Sequence, residues 1–384
     1  MTALLAQFQA AAQVTGRSLP AIVMEALLLR LGGARLGLTE YIDYQLYQDD
    51  LSWEQKRRFG GRRQQSVMEE ILVDDYSRFI SLDKVTMYAL LDGYGLAIPR
   101  LRATYGTLRP TGVRQLHSVA ELSDFLHAPA NRPLYFKRAF GSYGRGNVVV
   151  TACEDGQVVT GGGKRIALGT FAAQLGDAGP LGWLLQEPLR SHSAIVEWTG
   201  SDKVSGVRLH TFLTRHGVVA THAVFKINAG KLDSDNFAHG ASGNMLASDD
   251  IASGSICRTA AGVGPDQRTN APHPVSGRNL VGLTLPYWEQ TVALATEAQK
   301  AFPGFLCPGW DIAICDDGPR ILEVNAFGDI DLPQHASRTP FANDALLALM
   351  RERKLDGLLT ASPRHSKRSP ANHRLGVRRH HWPW

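Results

Sequence analysis

Apolar residues recur at helical spacing near the start of the chain and in alternating runs further along, which predicts helices first and a sheet after them. Leu4, Leu5, Phe8 and Ala12 mark one face of a first helix. A second, begun by Pro20, carries Ile22, Val23, Leu27 and Leu31 and ends at Gly32-Gly33. Tyr41, Tyr44 and Tyr47 stand three apart in a polar, aromatic segment and are expected to pack on the main body. Ser81 or Asp83 can cap a helix running to about Leu91, stopped by Gly93 and Gly95. Ser118 and Glu121 have the spacing of a capping box for Val119 to Leu126. The segment Leu285 to Phe302 predicts a helix begun by Pro286, with a core stripe of Trp288, Val292, Ala295 and Phe302.

The β-rich runs begin with PLYFK, then Asn147 to Thr151 and WLLQEPLR. Val207 to Thr214 and Val218 to Ile227 flank an Arg215-His216-Gly217 turn, and Asn244 to Ser248 and Ser255 to Thr259 form another pair. With Trp310 to Ile314 and Arg320 to Asn325, joined through Asp316-Asp317-Gly318-Pro319, these predict a mainly antiparallel sheet. Two long Gly/Ser/Asn/Pro loops, 228–243 and 260–282, are expected to be functional or mobile by their length. No internal repeat is evident.

Chemistry concentrates on that last hairpin. Alternation places Ile321, Glu323 and Asn325 on one face, and a turn centred near Asp317 sets Asp311 directly across from Glu323. Opposed carboxylates about 5 Å apart repel unless a cation sits between them. Two carboxylates and an amide oxygen suit Mg²⁺. The alternative is an ordinary solvated edge hairpin, and a one-residue slip would part the two acids. Lys84, in the first turn of its helix, opposes the helix dipole, so it faces either solvent or an anion. The loop Gly141-Ser142-Tyr143-Gly144-Arg145-Gly146 leads from strand to strand. That excludes a Walker or Rossmann phosphate loop and leaves a flap over a nucleotide, or a glycine-rich hairpin without a ligand.

Composition adds bounds. With 44% hydrophobic residues, 384 residues can bury a large core in two or three subdomains. Glu25 and Arg30 interrupt the richest apolar run, so no membrane span is expected. The start MTALLAQFQ lacks a basic stretch, which argues against a signal peptide. Four cysteines without a CxxC pair suggest ordinary buried thiols in a reduced cytoplasmic setting. The net charge of +5 is local. Residues 361–384 hold six Lys and Arg and no Asp or Glu, which leaves −1 for residues 1–360. The tail reads as disordered, a solvated end that could hold RNA or anionic lipid by charge alone. Lys56-Arg57-Arg58 and Arg62-Arg63 are expected to face solvent rather than clamp phosphate.

Seven motifs in order, YIDYQLY, SLDK, FKRAFGSYGRG, QEPLRSH, VRLHTFLT, HPVSG and GWDIAICDDGPRILEVN, cover roughly Gly37 to Leu349. The chain resembles the ATP-grasp superfamily, and within it the sugar-transfer-associated branch related to alpha-L-glutamate ligases. The resemblance implies an α+β fold holding a nucleotide between two α+β subdomains, with a helical N-terminal region. Its regions would be 1–80 (helical), 81–185 (with the flap), 186–360 (with the metal site) and the tail 361–384. It also implies ATP and Mg²⁺. Lys84 and Lys137 would contact the nucleotide beneath a flap containing Ser142, Tyr143, Gly144 and Gly146. Gln186, Glu187 and Leu189 would bracket the adenine, with His192 near the ribose or simply structural. Asp311, Glu323 and Asn325 would hold Mg²⁺, and Arg208 would sit by the γ-phosphate. Lys226 stands where the branch has an arginine, and His273 has no assignment. The implied reaction is ligation of a small carboxylate to an amine through an acyl phosphate, without a protein nucleophile. A phosphotransferase and a nucleotide-binding protein without turnover are the alternatives. No membrane partner is implied, nor nucleic acid apart from the tail, and the oligomeric state is left open.

Overall fold

The computed structural model describes residues 2–32, 35–107, 112–141, 146–176, 181–229 and 234–355. Seven helices precede the first strand: α1 (Thr2–Thr15), α2 (Leu19–Leu31), α3 (Leu38–Asp43), α4 (Trp53–Lys56), α5 (Arg62–Leu72), α6 (Asp75–Leu82) and α7 (Lys84–Gly93). Side-chain oxygens start the last two. Asp74 accepts from Ser77 N at 2.8 Å and Asp83 from Thr86 N at 3.3 Å. The first two helices bury only part of what the pattern marks: Phe8 and Ile22 are buried and Leu4, Ala12 and Val23 pack beside them, Ala11, Ala26 and Leu29 complete the buried sides, and Leu5 is exposed and Leu31 83% exposed. The segment LPAIVMEALLLRL is apolar nearly all round. Its periodicity therefore cannot choose a side, and the choice falls to the surface formed by Tyr41, Tyr44, Tyr47 and Phe59, which share its core. The tyrosine stripe is buried as expected. Lys56 is not solvent-facing. It is 3% exposed, because its Nζ lies 2.9 Å from Glu25 Oε1, which also accepts from Tyr41.

The first sheet contains β1 (Leu101–Tyr105), β2 (Arg114–Leu116), β3 (Leu134–Arg138), β4 (Val148–Glu154), β5 (Gln157–Thr160), β6 (Arg165–Ala167) and β7 (Trp183–Gln186), in the order β2-β1-β7-β3-β4-β5-β6. Only β1 and β2 run parallel. Helices α8 (Val119–His127), begun by the Ser118 cap, and α9 (Leu168–Leu175) cover it. Phe125, Leu126, Phe171 and Leu175 pack there with Phe136, Trp183 and Leu185.

After α10 (Ser193–Thr199) comes the second sheet: β8 (Gly206–Leu213), β9 (Val218–Ile227), β10 (Met245–Asp249), β11 (Ile256–Ala261), β12 (Arg268–Thr269), β13 (Gly309–Cys315) and β14 (Gly318–Asn325). Its order is β12-β11-β10-β9-β8-β13-β14, with every pair antiparallel. Helix α11 (Trp288–Lys300) lies on β8, β9, β13 and β14, and α12 (Asp331–Ser337) and α13 (Asp344–Glu352) follow. The structure starts α11 two residues after Pro286, since Tyr287 is left-handed at φ 51°, and leaves Val292 only half-buried. Cys153, Cys307 and Cys315 are buried free thiols. Cys257 is exposed, near the start of β11. Among the described residues no helix is long and apolar enough to cross a membrane. The tail 361–384 lies outside them.

The last hairpin reaches the expected pairing by another route. Cys315 pairs with Gly318, so a regular ladder would set Asp311 against Leu322. A bulge intervenes: Ile312 pairs with Ile321 and Asp311 with Glu323, leaving Leu322 unpaired. The bulge also breaks the alternation. Ile321 joins Val324 in the core, while Glu323 and Asn325 line a cleft.

Candidate active site

The cleft, about 760 Å³, takes Tyr135 and Lys137 from the first sheet, Asn147 from just before β4, and Arg208, Lys226, Asp311, Glu323 and Asn325 from the second sheet. Asp311 is cross-strand from Arg208 on one side and Glu323 on the other. Its carboxylate accepts from Arg208 Nε, and from Nη2 at 3.0 Å, and lies 3.4 Å from Lys226 Nζ. Gly309 makes room for this clamp. A Cβ there would come 2.9 Å from Arg208 Cδ and from the backbone of Gly328. Lys226 also reaches Asp235 at 3.2 Å, and Asp235 accepts from Gly206 N at 3.0 Å.

Glu323 meets two lysines through one oxygen: Lys84 at 3.7 Å and Lys137 at 3.5 Å. Lys84 therefore has its anion, despite its place in the first turn of α7. Its Nζ also donates to Gly141 O, and its backbone N–H donates to Ala139 O at 2.9 Å, which ties α7 to the end of β3. The carbonyl of Leu322 accepts from Lys137 Nζ at 3.0 Å and from Tyr88 Oη at 2.7 Å.

Four cationic side chains thus face three carboxylates, Asp311, Glu323 and Asp235. Burial pushes the Asp311 carboxyl up, but Arg208 and Lys226 outweigh it and hold the group well below the usual carboxylate range. Burial pushes Lys84 down to about 8 against the pull of Glu323. Lys137 is raised despite its burial, by Tyr88 and Glu323. Arg208 Nη1 is buried without a hydrogen-bond partner. Such a donor is costly unless an acceptor arrives.

The model of the family described as sugar-transfer associated ATP-grasp matches residues 71–344. The chain belongs to that family. Its fold is the ATP-grasp fold, and α1 to α4 lie before the matched region. Similar solved structures include N5-carboxyaminoimidazole synthase from Aspergillus clavatus in complex with ADP and 5-aminoimidazole ribonucleotide, at 10% identity and TM-score 0.39, over 74% of this chain and 58% of that one. Biotin carboxylase from Campylobacter jejuni matches at 10% and 0.43, over 74% and 47%. D-alanine–D-alanine ligase from Bacillus anthracis matches at 11% and 0.39, over 75% and 68%. The chain spans about half the length of the first of these structures, 58% to 47%. No curated protein matches it.

ATP-grasp proteins imply a nucleotide and Mg²⁺, and the donors present suit both. Asp311, Glu323 and Asn325 offer only oxygen ligands to a metal, and the open Arg208 donor suits a phosphate oxygen. The expected adenine residues are another matter: Gln186, Glu187, Leu189 and His192 do not line the cleft. Glu187 N–H donates to Arg100 O at 3.0 Å, so that amide is already used by the fold. His192 Nδ1 accepts from Ala194 N at 3.1 Å at the start of α10, and its ring lies edge-on to Tyr287. Gln186 is buried and leaves its Nε2 without a partner. Gly146 lies beside Arg138 and Trp183, whereas Ser142, Tyr143 and Gly144 fall outside the described residues. His273 gains an assignment as a loop-shaping residue. Its Nε2 lies 3.1 Å from Asn228 O and its Nδ1 accepts from Val275 N at 3.3 Å. The sequence offered no sign of Asp235 or Tyr88 beyond the length of the 228–243 loop that holds Asp235.

Proposed function

We propose that the protein is an ATP-dependent ligase that joins a small carboxylate to an amine through an acyl phosphate. The observation that carries this reading is the buried Arg208, clamped on Asp311 with one free donor, within a ring of lysines around a paired-acid hairpin. In this role Asp311 and Glu323, with Asn325, hold Mg²⁺, which when bound neutralises phosphate charge. Asp311 also fixes the guanidinium, so that Nη1 meets the phosphoryl group without reorganising. Lys84 and Lys137, already desolvated, bind the remaining phosphate oxygens, and Lys226 holds Asp311 and Asp235 in place. Transfer then needs position and charge rather than a protein nucleophile. We also place the active protein in the cytoplasm, supported by its four free thiols. The division into regions 1–80, 81–185, 186–360 and 361–384 belongs to the same reading.

Hydroxylamine tests the reaction, because an acyl phosphate is an electrophile and a phosphate ester is not. With ATP, Mg²⁺ and pools of amino, hydroxy and sugar acids, ADP and hydroxamate should form in equal amounts. Formation of ADP with a phosphorylated alcohol and no hydroxamate would replace the ligase by a phosphotransferase.

A further inference from the structure

A second cleft, about 830 Å³, opens beside the first, and Gln65, His239, Asp329 and Asp331 line both. Its wall carries the carboxylates of Glu40, Asp43, Asp329 and Asp331 against the guanidinium of Arg62. Glu40 is engaged, accepting from Gly37 N at 2.6 Å and Arg62 N at 2.8 Å. The others leave the cleft acidic. Burial pushes both Asp43 and Asp331 up to about 6, and Asp329 adds to the effect at Asp331.

Three side chains converge here. His239, Asp331 and His335 each offer one ligand atom, all within 4.8 Å of one another. Asp331 and His335 are four apart on α12, so they share a helix face. His239 arrives from the loop after β9, with its Nδ1 3.6 Å from Asp331 Oδ2. Arg62 Nη2 lies 3.4 Å from the other ring nitrogen, so Nδ1 is the one turned to the cluster. His335 is 2% exposed, yet its Nδ1 has no hydrogen-bond partner, and neither does Asp331 Oδ1. Buried polar atoms are seldom left empty.

We propose that His239, Asp331 and His335 bind a transition-metal dication of the Zn²⁺ class, on the wall shared with the nucleotide cleft and apart from Asp311, Glu323 and Asn325. Two imidazoles with one carboxylate favour such a metal over Mg²⁺, which prefers oxygen alone. Three protein ligands leave a position open to water or a substrate atom. Binding through His239 Nδ1 places the ring proton on Nε2, so the exposed Arg62 side chain turns away. The site does not depend on the ligase reading.

The test uses the full-length chain with His365, His373, His380 and His381 changed to Gln and Cys257 to Ser, so that these imidazole and thiol groups do not compete. It is titrated with Co²⁺ in saturating Mg²⁺ without nucleotide, followed by visible absorption, and then with Zn²⁺. One Co²⁺ per chain should bind and be displaced by one Zn²⁺. His239→Ala, at an exposed position, and Asp331→Asn should each weaken Co²⁺ binding at least about tenfold with circular dichroism unchanged. Glu323→Gln should leave it intact. Absence of stoichiometric uptake, uptake indifferent to His239→Ala, or uptake lost with Glu323→Gln would each overturn the proposal.

Discussion

The two adjoining clefts bury ionisable groups at similar cost and meet that cost in opposite ways. Around β13 and β14 each acid has basic partners: Asp311 has Arg208 and Lys226, and Glu323 has Lys84 and Lys137. Around α12 the acids lie beside other acids and a neutral imidazole, and burial moves their protonation instead. Pairing holds Asp311 ionised well below the usual carboxylate range, whereas the acid-rich wall is set to respond to protons or cations.

The sharpest break in this comparison is Arg208→Ala. On the proposed reading it removes a donor to the reacting phosphoryl, so ATP turnover should fall about 10² to 10³-fold. It also strands the buried Asp311, and denaturant unfolding should show a loss of roughly 3 kcal/mol. A variant as stable and active as the parent would mean that the clamp is ornamental.

Glu323→Gln tests the other acid more gently. Shape is kept and one of two metal-facing charges is lost, so calorimetry should show MgATP affinity falling roughly tenfold with the fold unchanged. Unaltered affinity would mean that Glu323 holds its two lysines and no metal.

The smallest effect belongs to the acidic wall. Asp331 titrates near 6 in the folded chain and near the ordinary value of about 4 when unfolded, so ionising it costs stability as pH rises between those values. Asp331→Asn avoids that cost. Its melting temperature relative to the parent should climb by a few degrees from about pH 4 to pH 6 and stay level above. A flat difference would show that folding leaves the Asp331 carboxyl at its ordinary value.

What could be read from the sequence followed from how local each signal is. The final hairpin announced itself through turn residues and alternation, and Lys84 through its place at a helix start. The bulge at Leu322 left no mark, because it depends on the strand's neighbours rather than its own residues. The buried sides of α1 and α2 were legible only in part, through Phe8 and Ile22: leucines occupy several faces, and only the tertiary partner selects one. Lys56 looked solvated because Glu25 lies 31 residues away. Of the His239, Asp331 and His335 cluster, only the last two are close enough along the chain to show a spacing. That the Glu187 amide is taken by Arg100 O was equally hidden, because Arg100 belongs to a distant segment.

The unpaired Leu322 gives this chain a position where presence and identity obey different rules. Its contribution, a carbonyl shared by Lys137 and Tyr88, comes from the backbone, so many side chains could stand there without disturbing it. Deleting the residue is another matter. Asp311 would still meet Glu323 in a ladder made regular, but the first sheet and α7 would lose their common anchor on β14. Among descendants of this sequence, codon 322 should tolerate substitution freely and in-frame deletion hardly at all.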